Sequence, residues 1–296
     1  MTDSRVLRPS GSTVQGSRST AGAGIWFPGL SYGMVRVVMG LLLLGAVAAC
    51  ANSSVNANTD RNGEPLTESD EPEARKRARL RIELASGYFE QGQTTVALDH
   101  IKQALLADPT YAAAYSLRGL VYMRLSDNGL AEESFRRGLQ ISPRDPDIMH
   151  NYGWFACQQG RHAEGIQLLN RALAVPLYVG QSKTLMMLGT CQLRAGQKSE
   201  AEGSFARAYE LDPSNAFVGY NLANLEFQRG ENTKAQFVIR RINNSEQANA
   251  ETLWLGIKVE RRLNNTQAAD QLAQQLQRRF PRSKELAAYQ RGAFNE

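Results

Sequence analysis

AAAYSLRGLVYMRLSDNGLAEESFRRGLQISP, residues 112–143, decides the fold. Small residues stand at Gly119, Ala131 and Gly138, aromatic ones at Tyr115, Tyr122 and Phe135, and Pro143 closes the stretch. A shift of 34 residues upstream meets Ala85, Tyr88, Ala97, Ile101, Ala104 and Pro109. The same shift downstream meets Gly153, Gly165, Leu169 and Ala172. A fixed period of this length predicts a solenoid of helical hairpins.

Working outward, a small residue recurs in each first helix at Ala85, Gly119, Gly153, Gly189, Ala223 and Gly256, with spacings of 34, 34, 36, 34 and 33. Its mate in each second helix falls at Ala97, Ala131, Gly165, Ala201, Ala235 and Ala268. Two helices that cross closely have no room for larger side chains. Ile101, Phe135, Leu169, Phe205, Ile239 and Leu272 then fill the space between hairpins. No hairpin buries its apolar face alone, so the predicted core runs along the stack. Gly92, Gly160, Gly196 and Gly230 are expected at left-handed helix ends, with Asn128-Gly129 serving the second hairpin. Asp108-Pro109, Ser142-Pro143 and Asp212-Pro213 separate successive hairpins, because proline stops the preceding helix. These positions resemble the tetratricopeptide repeat consensus. The expected fold is all-α, a right-handed superhelix of about six such hairpins over residues 74–290, with Lys284–Gln290 as a capping helix.

Residues 1–33 are rich in Gly and Ser with little periodicity and read as disordered, or as a leader added by starting the chain before Met34. Residues 34–49 have one basic residue, Arg36, then a short apolar run and small residues before Cys50, the form of a signal peptide. Val47-Ala48-Ala49-Cys50 resembles a bacterial lipobox, which implies cleavage before Cys50 and acylation of that cysteine. Ala51 follows it, not aspartate, and by resemblance to the known sorting signals this implies the outer membrane. Residues 50–73 are polar and read as a tether. The acidic residues near Glu73 suit the positive end of the first helix. The basic run from Arg75 to Arg81 has two readings, a solvated helix face or contact with an anionic membrane.

Little in the chain suggests catalysis. His100, His150 and His162 are scattered, with no ligand spacing around them, so neither metal nor cofactor is expected, and no enzyme activity. Cys157 and Cys191 lie one repeat apart. A disulfide needs Cα atoms within about 7 Å, and neighbouring first helices are expected roughly 10 Å apart. The favoured reading is therefore buried free thiols, with a disulfide in a periplasmic setting as the alternative. The net charge of +5 raises nucleic acid as a partner, but export past the inner membrane removes it.

The expected binding surface is the inner face, lined by first helices. The repeat phase places Asn151, Trp154 and Gln158 there, then Lys183, Met187, Thr190 and Arg194, then Phe217, Tyr220, Asn221, Asn224 and Phe227. Asparagines can grip an extended backbone, since each offers a donor and an acceptor. Trp154 has two readings, groove anchor or core residue. So does Tyr178, in the two-residue insertion Leu177-Tyr178-Val179-Gly180, as a packing adjustment or part of the binding site.

A lipobox, a polar tether and about six repeats together resemble the lipoproteins of type IV pilus biogenesis and stability, the pilotin group of PilF and PilW. The string NYGWFAC, Asn151 to Cys157, is the most specific feature, and Ala201-Glu202, Phe205 and Arg279-Phe280-Pro281 also fit. The resemblance implies a monomeric outer-membrane lipoprotein that binds secretin subunits and helps them localise and multimerise, held to the bilayer through acylated Cys50. The alternative is an envelope scaffold lipoprotein whose repeats bind another cell-wall or outer-membrane assembly partner.

Overall fold

The computed structural model describes residues 70–294. The expectations for the leader, the signal peptide, Cys50 and most of the tether lie outside these residues. First helices are α1 (Glu73–Glu90), α3 (Ala112–Arg124), α5 (Pro146–Gln158), α7 (Gln181–Arg194), α9 (Ala216–Gln228) and α11 (Ala250–Arg262). Second helices are α2 (Thr94–Ala107), α4 (Asn128–Ile141), α6 (His162–Leu173), α8 (Lys198–Leu211), α10 (Asn232–Asn243) and α12 (Thr266–Arg279). A short α13 (Lys284–Gln290) closes the described array. The helices form six hairpins, and their cross-section is the all-α repeat architecture that the period predicts.

Several of the small residues sit where another side chain or backbone leaves no room. A Cβ added at Gly119 would stand 2.6 Å from the Phe135 ring, and one at Gly189 would stand 3.0 Å from Phe205. Hairpin three has glycine on both sides. A Cβ at Gly165 would lie 2.7 Å from the Gly153 carbonyl oxygen. In the sixth hairpin the expected mate is corrected: Ala268 is only half-buried, while Ala269, 34 residues after Ala235, takes the enclosed position with Ala273, and Gly256 faces Leu272.

Local chemistry sets the helix limits. Asp127, Asp145, Asn215 and Ser283 accept hydrogen bonds from first-turn N–H groups of α4, α5, α9 and α13. Asn249 and Thr252 form a reciprocal capping box on α11. Gly92, Gly160, Gly196 and Gly230 take φ between +76° and +87° at the intra-hairpin turns. The second hairpin departs from expectation: Ser126, at φ +62°, makes its left-handed turn, while Asn128-Gly129 opens α4. Asp127 explains this, because its cap on Leu130 N commits the next residues to helix.

First helices contact one another in sequence, α1 on α3, α3 on α5, α5 on α7 and α9 on α11, whereas each second helix meets the next hairpin's first helix. First helices therefore lie on the inside of the bend. On α1, the basic run makes ion pairs: Arg75 with Asp108, and Arg79 with both Glu71 and Glu83. At the other end, Leu286 of α13 covers the last apolar face with Trp254, Ile257 and Leu276. Among the described residues, no helix is long and apolar enough to cross a membrane.

Candidate functional site

The middle of the inner face is built on α5 and α7. Their sequences put Asn151, Trp154 and Gln158 on successive turns of one helix, and Lys183, Met187, Thr190 and Arg194 on the other. Trp154 is half-buried against the cluster of Cys157, Leu188 and Cys191, and the Arg194 guanidinium stands 5.0 Å over its ring. The indole is thus both supported from behind and presented, which joins the two readings of this residue. Asn151 donates to Ser116 Oγ at 3.1 Å and ties α5 to α3. Gln158, Lys183 and Arg194 are exposed, and Met187 is half-buried beside Trp154. The Thr190 hydroxyl donates to Met186 O on its own helix.

Cys157 and Cys191 form a disulfide, with Cα atoms 5.7 Å apart. This corrects the expectation of free thiols. The 10 Å spacing belongs to helix axes. Facing Cα atoms each stand about 2.3 Å nearer the partner, so the gap between them is roughly 5.4 Å. The bridge fixes α5 to α7 beside Trp154.

A second link between the same helices is polar and buried. His150 Nδ1 lies 2.8 Å from Thr184 Oγ1, and the Tyr178 hydroxyl lies 3.0 Å from that oxygen. Burial, then the Lys183 charge, lowers the His150 pKa to about 4, so the imidazole is neutral. Tyr178 is 7% exposed and does not line the groove. The insertion turns it inward through Leu177 at φ +59°, and its ring occupies the space where a side chain at Gly180 would lie. Leu177 and Val179 are what the loop presents, at 96% and 98% exposure.

Farther along, α9 carries the amides and aromatics of the fifth hairpin. Phe217 is exposed and meets Phe205 edge-on. Tyr220 is half-buried against the core. Asn221 bends back, donating one N–H to Phe217 O at 2.8 Å, which leaves its carbonyl oxygen and its second N–H for an outside partner. Asn224 and Phe227 wall a cavity of about 520 Å³ together with Lys258 and Arg262 of α11. The sequence reading missed Lys258 and Arg262, although Lys258 stands one period of 34 after Asn224.

Glu226, also on α9, is buried, and its Oε2 has no hydrogen-bond partner among the described residues. One period earlier, Gln192 is served by the Ser204 hydroxyl, and one period later Glu260 is served by Arg240, Gln236 and Asn265. Val238 stands where the repeat would place a serine for Glu226. Burial, then Glu202, raises the Glu226 pKa from 4.5 to about 7. The folded state therefore holds this proton more tightly than the unfolded chain, and stability falls as pH rises from 4.5 through about 7. Glu226→Gln is expected to be neutral near pH 4 and stabilising by about 1–2 kcal/mol near pH 8. Thermal melts at the two pH values check this, and equal effects at both would reject the assignment.

Paired helices of this length, closed by glycine turns and stacked with first helices inward, make the protein a tetratricopeptide repeat scaffold, and the tetratricopeptide repeat family model matches residues 82–146 and 158–216. A solved structure titled PilW, widely conserved type IV pilus biogenesis factor, is 32% identical with a TM-score of 0.62, covering 72% of this chain and 97% of that one. Solved Pseudomonas aeruginosa PilF is 26% identical with a TM-score of 0.69, over 75% of this chain and 100% of that one. The type IV pilus assembly protein PilF of Pseudomonas aeruginosa is 28% identical over 257 residues, 86% of this chain and 98% of the relative. The chain belongs to this PilF and PilW family of repeat proteins in type IV pilus biogenesis.

Proposed function

We propose that this protein is an outer-membrane lipoprotein that binds secretin subunits on its inner face and promotes their localisation and multimerisation during type IV pilus assembly. Family membership supports the process. The observation that carries the binding mode is Trp154, backed by the Cys157–Cys191 bridge and overlain by Arg194 on a face lined by exposed polar side chains. Aromatic and arginine anchors carry much of the energy of protein interfaces. The Val47–Cys50 sequence supports a lipid anchor, with the array itself holding the client and making no bonds. Several acyl chains hold a protein on a bilayer far more firmly than one.

The test is capture of secretin from detergent-solubilised envelope. Trp154→Ala is expected to weaken binding by about 2 kcal/mol, roughly thirtyfold in Kd. Cys50→Ser should keep the binding and lose the outer-membrane location. Undiminished capture and ring assembly in the double variant Trp154→Ala, Asn221→Ala would move the site off this face. Capture of a different envelope assembly protein in place of secretin would favour the alternative scaffold role.

A further inference from the structure

Each first helix runs from one edge of the array to the other and each second helix returns, so the turns that join successive hairpins share one edge. Contacts between neighbouring turns follow from this. Arg171, near the end of α6, donates to Pro143 O, the Ala216 N–H donates to the Gln247 side chain, and Arg279 donates to Ala248 O. This edge carries much of the apolar surface that the stack leaves uncovered. Leu177 and Val179 stand out from the turn between hairpins three and four. Leu106, at the end of α2, is 83% exposed, and Leu211 and Phe217 flank the turn between hairpins four and five at 55% and 51%. At the opposite edge the turns hold glycine among amide and charged side chains, and Leu125 is 48% exposed.

The turn from Leu177 to Val179 is held in place from behind. Tyr178 is buried with its hydroxyl on Thr184, and Leu177 takes φ +59°, a conformation that costs free energy for a residue with a Cβ. Such strain persists only where the surroundings impose it, and it clusters at functional surfaces. Two apolar side chains are therefore presented outward on a firm support. The chain from Cys50 also enters the array here. Asp70 stands 20 residues after Cys50, and α1 starts at Glu73, where Arg75 pairs with Asp108 of the first inter-hairpin turn. A lipid on Cys50 draws the array toward the bilayer by the edge that carries these side chains.

We infer that the edge of inter-hairpin turns is a membrane-contacting surface, with Leu177 and Val179 entering the headgroup region of a phospholipid bilayer and Leu106, Leu211 and Phe217 lying against it. The apolar side chains project separately, from turns one or two hairpins apart, and a bilayer interface takes up such side chains over a wide area. Arg144, Arg171 and Asp147 are exposed on the same edge, while Asp108, Asp145 and Asp212 are engaged by Arg75, the first N–H groups of α5 and Ser214. With both signs of charge present, apolar contact carries the attraction. Contact along an edge leaves the inner face, with Trp154, uncovered. The inference rests on the lipid-anchor reading above for what brings the array to the bilayer, and its test reads the two apart.

A tryptophan reporter on the turn tests it. Val179→Trp protein, purified from membranes, is reconstituted into vesicles of phosphatidylethanolamine and phosphatidylglycerol with brominated acyl chains. The emission that the new indole adds to the parent's is expected to fall by about half, since a side chain at the headgroup boundary lies within reach of the bromines. Leu125→Trp, on the opposite edge, should lose none. Added salt should leave the quenching in place, because screening acts on charges. Adding Leu177→Asp and Leu211→Asp to Val179→Trp should remove most of the quenching without lowering the melting temperature. Equal quenching at the two edges, or none at either, would overturn the proposal. So would loss of secretin capture in Leu177→Asp, Val179→Asp with Val179→Trp unquenched, which would give the edge to a protein partner. Intact-mass analysis of the same sample reads the anchor. Quenched Val179→Trp with Cys50 unmodified would keep this surface and reject the anchor alone. Acylated Cys50 without quenching would reject this surface alone.

Discussion

Gly165→Leu is expected to lower the melting temperature by roughly 5–10 °C, the size that an overpacking cost of about 3 kcal/mol gives a domain of this length. The atoms a new side chain meets are main-chain ones. A Cβ at Gly165 would stand 2.7 Å from Gly153 O and 3.0 Å from Cys157 N. A flexible side chain could swing away, but a helix backbone must move as a whole. Here α5 is also tied to α7 by the disulfide, so yielding in one direction strains the next hairpin. Gly153→Leu should follow the same course, since its Cβ would stand 3.1 Å from Gly165 O and 2.9 Å from Leu169 Cγ. Lys183→Ala, on an exposed first-turn position, is the control that should melt like the parent. Circular-dichroism melts decide it, and a Gly165→Leu curve superposing on the parent would mean that the helices do not cross there.

Reduction of the Cys157–Cys191 bond is expected to cost still more. The bond closes a loop with a sequence separation of 34, and chain entropy alone assigns such a loop about 3.8 kcal/mol. Denaturant midpoints should therefore drop when reductant is added to the parent. The double variant Cys157→Ala, Cys191→Ala should start low and show no response to reductant. Thiol titration of the denatured, unreduced parent should find neither cysteine free. A parent midpoint indifferent to reductant would contradict the bridge.

The fold was legible because one requirement repeats. Each hairpin needs small residues where its helices cross, so Gly119, Gly153 and Gly189 recur at one phase and point to the same geometry. Phase also locates a residue on its own helix, which is why the repeat put Trp154, Asn224 and Phe227 among the expected groove residues. It says less about the gap to the neighbouring helix. The cysteine pair was misjudged on that distance, and Tyr178 turned inward because an unrepeated insertion has no phase to follow. Asn221 shows a further limit, since a side chain on the right face can still spend one of its two donors on its own backbone. Lys258 and Arg262 were missed for a different reason: the sixth hairpin's weak consensus hid the period that would have aligned Lys258 with Asn224 and Arg262 with Gln228.

A stack in which each hairpin touches only its neighbours ordinarily frays from its ends, one unit at a time. The covalent link between hairpins three and four changes that order, because neither can detach from the other while the bond holds. Opening that starts at either terminus therefore stops at a pair that must melt together. Amide protons of α5 and α7 should exchange last, and the segment bearing Trp154 keeps its shape while the ends of the array breathe.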